Sequence, residues 1–169
     1  MMIYGEDKTI ARWVEKLIPH VHTGFGDCVA MGYANDQGRL LAGFVYNNYS
    51  KEFRTICLSA ASVSRMWARP DVIHEVFQYP FEQLGVYKVV NVTPADNLPA
   101  IKVNAHIGFK REAILAHHFG KGRHAVVQRL LQPDYIRLFG ERYGLGKKQF
   151  ITSADDCKPQ YSGERASQL

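Results

Sequence analysis

The sequence predicts a mixed α/β domain of the α+β kind, with one central sheet and helices on both of its faces. Two observations carry this prediction. The first half of the chain holds three strand-like runs in succession, and the second half holds a strand–helix–strand unit. This order indicates a mixed sheet of about six or seven strands, not a doubly wound parallel one.

Size and composition fit one folded domain. The chain has 169 residues, of which 46% are hydrophobic and 22% charged, so wholesale disorder is excluded. The net charge of +5 suits an anionic ligand, either a nucleotide-bearing cofactor or a nucleic acid, without choosing between them. Residues 1–10 show no signal-peptide pattern and no apolar run approaches a membrane span, so we expect a soluble, cytoplasmic protein without a membrane partner.

The first half predicts one helix and three strands. Residues 7–18 form an amphipathic helix, because apolar residues recur at i, i+3, i+4 and i+7 from Ile10. Residues 28–34 and 39–48 alternate as strands around an Asn-Asp-Gln-Gly hairpin turn. Residues 54–61 are the third strand.

The middle of the chain predicts a helix with a break. An apolar stripe at helical spacing begins after Asp71 and reaches Leu84. Pro80 lies inside the stripe and removes the hydrogen bond to the carbonyl of Val76. The helix should therefore kink or end there.

Residues 86–92 and the helix after them are the strongest signal. Residues 86–92 read as a buried strand. Asn97 is a natural N-cap for the following helix, and Pro99 is tolerated in its first turn. Gly108 can adopt the left-handed backbone conformation that ends a helix, and Phe109 starts the next strand. Because ligands usually bind where such a strand ends and its helix begins, we expect the site there.

The last part predicts a hairpin and a short helix. Residues 109–116 and 124–131 alternate around a basic Gly-Lys-Gly-Arg turn, and residues 133–143 form the helix. The sequence beyond this point is polar. We therefore expect a domain at residues 1–143 and a flexible tail at residues 144–169.

The stretch that begins at the N-cap resembles the signature of the GNAT acyltransferases, N-x-x-A-h-x-h-(Y/F)-x-x-h-G-F, where h is apolar. In this chain it reads Asn97-x-x-Ala100-Ile101-x-Val103-Asn104-x-x-Ile107-Gly108-Phe109. Its continuation to Ala113, and the Tyr79-Pro80-Phe81 motif before it, resemble the branch of ribosomal-protein N-terminal acetyltransferases and its bacteriophage relatives.

The resemblance implies a GNAT-like sheet and an N-acetyltransferase. Such an enzyme moves an acetyl group from acetyl-CoA to a primary amine of a protein or small molecule, by direct transfer. Strand 54–61 would splay from strand 86–92 and pair its open backbone with the pantetheine arm of the cofactor. The pyrophosphate would lie at the helix N-terminus near Asp71. A covalent intermediate is not predicted, because no Cys–His or Ser–His constellation is readable.

The resemblance also marks the positions that would bind the cofactor. They are Ser62, Val63, Ser64, Arg65, Arg69, Asp71, Val72, Asn97, Ala100 and Ile101. Family members usually carry glycines in the phosphate loop, whereas residues 64–71 here contain none. Arg65 and Arg69 would contact phosphates as charged donors, while Asp71 brings a negative charge close to them.

Asn104 is the candidate catalytic residue. It stands where the family commonly has a tyrosine that protonates the leaving thiolate. A carboxamide is not a general acid at neutral pH, although it hydrogen-bonds a sulfur or a water. His106 lies about 200° round the helix from Asn104 and points elsewhere.

The remaining histidine pairs predict no metal site. His20-x-His22 and His117-His118 lack a zinc spacing with a third ligand. His117, near the end of a strand that faces the cleft, is a candidate proton acceptor.

Two alternatives stay open. A catalytically degenerate GNAT-fold binding module is favoured by the missing glycines and by Asn104. A GNAT-like enzyme that modifies nucleic acid is permitted by the basic charge alone. The resemblance also allows a homodimer, and it does not identify the acceptor.

Overall fold

The computed structural model describes residues 1–144, so the predicted tail lies outside the described residues except for Gly144. Within this part of the chain, strands and helices follow one another in the order that the sequence predicts, except that a two-residue strand precedes the first helix. Their bounds are β1 Met2–Ile3, α1 Asp7–Leu17, β2 Cys28–Ala34, β3 Leu40–Ser50, β4 Thr55–Ser62, α2 Pro70–Gln78, β5 Lys88–Pro94, α3 Leu98–Ile107, β6 Lys110–Leu115, β7 Ala125–Leu131 and α4 Gln132–Tyr143.

The strands form one seven-stranded sheet in the order β1-β2-β3-β4-β5-β7-β6. Every neighbouring pair is antiparallel except β4 and β5, which are parallel. The mixed sheet with an interior β5 is therefore confirmed. The observed β5 begins later than predicted, because the Val86 N–H donates to the Pro80 carbonyl at 3.0 Å and closes the preceding turn.

Helices cover both faces of the sheet, as predicted. On one face Val45 of β3 packs with Ile10 and Val14 of α1. Gly43 lets α1 lie directly on β3, since a Cβ there would sit 2.5 Å from a methyl of Val14. The other face packs residues such as Phe44 against α2 and α4. None of the helices in residues 1–144 has the length and apolar character needed to cross a membrane.

The break at Pro80 takes a form that the sequence does not predict. The α-helix ends at Gln78, and Tyr79–Gln83 continues as one turn of π-helix. The Leu84 N–H donates to the Tyr79 carbonyl at 3.0 Å, which closes the wider i→i+5 turn. The wider turn accommodates the proline ring, and Pro80 is buried within it.

Candidate active site

β4 and β5 separate after a short parallel ladder. Their register pairs Thr55 with Lys88, then the next two residues of each strand, and ends at Cys57 and Val90. β4 continues to Ser62 and β5 to Pro94 without further pairing to each other. The two strands therefore enclose an opening in the sheet, at the place where the sequence predicts the splay.

The alternation of hydrogen bonds along β4 determines which backbone groups face this opening. The Val63 N–H donates to the Leu41 carbonyl at 2.9 Å and so points toward β3. Because direction alternates along a strand, Ala61 also points toward β3, whereas Ala60 and Ser62 direct their N–H and C=O groups into the opening. Both are exposed. Of the candidate cofactor residues, Ser62 thus lies on the open edge, and the Val63 amide does not.

A side chain links the two strands just beyond the ladder. Asn91 Nδ2 donates to the Leu58 carbonyl oxygen at 3.0 Å, one residue past the last ladder pair. Asn91 Oδ1 accepts from Thr93 Oγ1 at 2.5 Å and from Asn104 Nδ2 at 3.1 Å. The Asn91 side chain therefore replaces the next backbone hydrogen bond between the two strands, and the opening begins at this point.

Asn104 is held at the centre of the same network. Its Nδ2 donates at 3.1 Å to both Asn91 Oδ1 and Gln128 Oε1, so both amide hydrogens are engaged. Gln128 is 2% exposed and donates from Nε2 to the Ile101 carbonyl at 3.3 Å. Asn104 therefore fixes α3 against β5 and β7, and its side-chain oxygen is the group left to meet a ligand. The candidate catalytic residue is thus engaged in the network through its amide nitrogen.

A small cavity of about 30 Å³ adjoins the network. Trp67 and Phe77 line it on the α2 side, and Asn91 and Asn104 supply its polar groups. This volume exceeds the roughly 10–15 Å³ that one water molecule requires, so the cavity has room for water but not for an extended ligand. The open strand edge, not this cavity, offers the length that an extended ligand needs.

The N-terminus of α2 carries an acidic side chain of its own. Arg69 is the N-cap residue, and its Nε and Nη2 donate to the two carboxylate oxygens of Asp71 at 3.1 and 2.7 Å. Desolvation raises the pKa of Asp71, but hydrogen bonds from Arg69 and from the N–H groups of Asp71 and Val72 outweigh it and lower the pKa below its ordinary value. The Asp71 carboxylate therefore engages N–H groups that a phosphate would use, and the predicted closeness of Asp71 to Arg69 is confirmed.

The helix α3 begins and ends as its sequence predicts. Asn97 Oδ1 accepts from the Ala100 N–H at 3.3 Å, which confirms the N-cap. Gly108 has φ 119°, the left-handed conformation expected at the helix end. Asn97 is exposed, and Ala100 and Ile101 of α3 are half-buried. Arg65, in the loop before α2, is exposed.

Two loops meet beside the opening, on the face of the sheet that α1 covers. His20 lies in the loop after α1, and the centroid of its ring is 4.3 Å from the centroid of the Phe119 ring. Phe119 belongs to residues 116–124, the β6–β7 turn. This turn docks on the end of β5, where the Ala95 N–H donates to the His124 carbonyl at 2.9 Å. Sequence reasoning missed this contact, because rings so far apart along the chain carry no local signal of their meeting.

His117 is held inside the β6–β7 turn. Its Nδ1 accepts from the Gly122 N–H at 2.8 Å, and its own N–H donates to His124 Nδ1 at 3.1 Å. These bonds give His117 a structural part in the turn and engage its Nδ1 lone pair. Burial, followed by the charges of Arg123, His22 and His118, lowers the pKa of His20 and favours the neutral imidazole.

The fold is similar to that of solved spermidine N-acetyltransferases. A chimera of the Vibrio cholerae enzyme SpeG with hSSAT has a TM-score of 0.66 at 15% identity, covering 80% of this chain and 98% of that chain. The Vibrio cholerae enzyme in complex with manganese has a TM-score of 0.65 at 14% identity, covering 81% and 95%. Its dodecameric intermediate form has a TM-score of 0.64 at 14% identity, covering 80% and 95%.

At these sequence identities, the structural similarity shows the fold alone. No protein-family model and no curated protein matches the chain. The GNAT-like sheet predicted from the sequence is confirmed by these structures. The finer resemblance to ribosomal-protein N-terminal acetyltransferases and their bacteriophage relatives stays a prediction.

Proposed function

We propose that the protein is an N-acetyltransferase, which moves an acetyl group from acetyl-CoA to a primary amine by direct transfer. The observation that carries this proposal is the open edge of β4, where Ala60 and Ser62 direct backbone groups into the gap beside β5. The fold shared with solved acetyltransferases supports it.

The residues around the opening fit the shape of acetyl-CoA. The N–H and C=O groups of Ala60 and Ser62 would pair with the amides of the pantetheine arm, as an added strand pairs with a sheet edge. The N-terminus of α2, with Arg65 beside it, would face the pyrophosphate. Acetyl-CoA, when bound, supplies a thioester carbonyl and a thiol leaving group.

The other face of the opening suits the amine. In the transfer, the amine nitrogen bonds to the acetyl carbon, the carbon–sulfur bond breaks, and the proton that the nitrogen loses balances the one that the thiolate gains. His20, half-buried and favoured in its neutral form, would accept the amine proton. A backbone N–H on the β4 edge would stabilise the negative charge that develops on the carbonyl oxygen.

A second candidate function is that of a binding module without transfer activity. Two observations favour it: both amide hydrogens of Asn104 are engaged, and Asp71 occupies the N-terminus of α2. Such a protein would bind CoA compounds or an amine without releasing thiol.

The two functions separate in two measurements on the purified chain. Calorimetry with acetyl-CoA measures cofactor affinity, and a thiol-reactive dye measures CoA release in the presence of amines. We expect submillimolar binding and amine-dependent release. Binding without release for any amine would support the binding module, and no binding at millimolar acetyl-CoA would contradict the enzyme.

The Asp71→Asn variant should bind acetyl-CoA about tenfold more tightly than the wild type. The substitution removes a negative charge from the N-terminus of α2 and releases Arg69 from its bidentate pair. Asp36→Asn is the matched control, because Asp36 is exposed in the distant β2–β3 turn. Calorimetry at low ionic strength checks the result. Equal affinities for Asp71→Asn and the wild type would show that the pyrophosphate does not approach this helix end.

A further inference from the structure

A cluster of histidines lies beside the opening on the α1 face. Five of the chain's seven histidines belong to the loop after α1 or to the β6–β7 turn: His20, His22, His117, His118 and His124. Phe119 of the β6–β7 turn joins the two segments, since its ring lies 4.3 Å from that of His20 between centroids, and it also lies 4.8 Å from the ring of its neighbour His118. Among the described residues, no His, Cys, Asp or Glu side chains group by three or more as a metal site requires. The cluster therefore calls for another explanation.

Arg123 adds a positive charge to this cluster. The Phe119 N–H donates to the Arg123 carbonyl at 3.1 Å and the Phe119 ring contacts His20, so Arg123 lies in the same cluster, where its charge helps to lower the pKa of His20. Its ion pair is loose, because Arg123 Nη2 lies 3.8 Å from Asp96 Oδ2 and the side chains are 52% and 70% exposed. Arg123 thus retains most of its capacity to bind an anion.

Asp96 and Glu15 are carboxylates that contact these segments. Asp96 pairs with Arg123 only loosely. Glu15 of α1 accepts a hydrogen bond from the Gly24 N–H at 3.1 Å, within the loop that carries His20. Imidazole N–H groups donate hydrogen bonds to an anion in either protonation state. The surface beside the opening therefore matches a negatively charged group.

We propose that the acceptor amine carries an anionic group, a carboxylate or a phosphate, which Arg123 and the surrounding histidines recognise. This inference rests on the proposed acetyl transfer and names the class of acceptor. A polyamine such as spermidine would place several positive charges beside Arg123, and like charges disfavour binding. The anion comes either from a small molecule or from an acidic peptide with a free N-terminus.

Pairs of acceptors, in which one member carries an anionic group and the other does not, test the inference. The peptide pair is Glu-Ala-Ala-amide against Gln-Ala-Ala-amide, the small-molecule pair is phosphoethanolamine against ethanolamine, and spermidine is the polycation. CoA release gives kcat/KM for each, and calorimetry with CoA present gives the affinity of each amine. The anionic member of at least one pair should exceed its neutral partner by about fivefold, the size of one partly exposed charge contact. Which pair shows the preference distinguishes the two sources.

Arg123 should account for this preference. Arg123→Ala should bring the anionic-to-neutral ratio close to one without changing acetyl-CoA affinity, and Arg123→Lys should retain most of it. The control is Arg137→Ala, since Arg137 lies exposed on α4, outside the cluster. An unchanged ratio in Arg123→Ala would overturn the inference. Higher salt should reduce the wild-type ratio.

The outcomes separate this inference from the proposed function. CoA release with spermidine at least as efficient as with the anionic amines overturns the inference and leaves acetyl transfer standing. Preferential binding of an anionic amine without CoA release supports anion recognition by the cluster and contradicts acetyl transfer. No charge preference in either binding or release overturns the inference.

Discussion

An Ala60→Pro variant should fold normally and bind acetyl-CoA about thirtyfold or more weakly than the wild type. The Ala60 N–H faces the opening, so its loss breaks no ladder bond of the sheet. A pantetheine carbonyl would lose this donor, and the proline ring would occupy the space in front of it. The combined cost is about 2 kcal/mol, which corresponds to the stated factor. Calorimetry measures the affinity, and the melting temperature checks the fold.

Ala61→Pro is the matched control for this result. Its N–H points toward β3 by the alternation of the strand, so proline there removes a ladder hydrogen bond. Ala61→Pro should lower the melting temperature by several degrees more than Ala60→Pro does. If Ala60→Pro binds acetyl-CoA with wild-type affinity, the cofactor does not pair with β4.

Replacing Asn91 with leucine should lower the free energy of unfolding by about 2–4 kcal/mol. The amide of Asn91 serves three partners: the Leu58 carbonyl, the Thr93 hydroxyl and the Asn104 amide. A leucine of similar size leaves these groups without that partner, and Thr93 is buried. Urea denaturation measures the change as a shift in midpoint at constant slope.

A double-mutant cycle with Asn104→Leu tests whether the network acts as one unit. Asn104→Leu removes two hydrogen bonds but leaves the link from Asn91 to Leu58 intact. The double variant should lose less stability than the sum of the single losses, because both remove the bond between the two asparagines. Additive losses, or a neutral Asn91→Leu, would show that the network does not stabilise the opening.

Features set by neighbouring residues were predictable from the sequence. The N-cap of α3 is a local event, since Asn97 and the N–H it accepts from are three residues apart. The stop at Gly108 is equally local. The hairpin of β2 and β3 follows from alternation and a four-residue turn, and β2 has the bounds that the sequence predicts.

Features that depend on distant partners were not predictable. The two-residue β1 is too short to show a period, and it forms only because β2 offers an edge. The sequence marks Asn104 as unusual but does not indicate that Gln128, on another strand, engages its amide. The meeting of His20 with Phe119 likewise depends on how α1 crosses the sheet.

The short parallel ladder also makes the sheet mechanically uneven. Strands β1–β4 form one antiparallel group, and strands β5–β7 form a second antiparallel group in the order β5-β7-β6. The ladders on either side of the seam, β3–β4 and β5–β7, each have seven register pairs. The seam between the two groups has three pairs and the Asn91 side chain. Bending should therefore concentrate along this line, and the width of the gap should fluctuate more than either half does. An extended ligand paired with the β4 edge would add backbone hydrogen bonds beyond the last β4–β5 pair. These bonds would reduce the motion of the two halves of the sheet relative to each other.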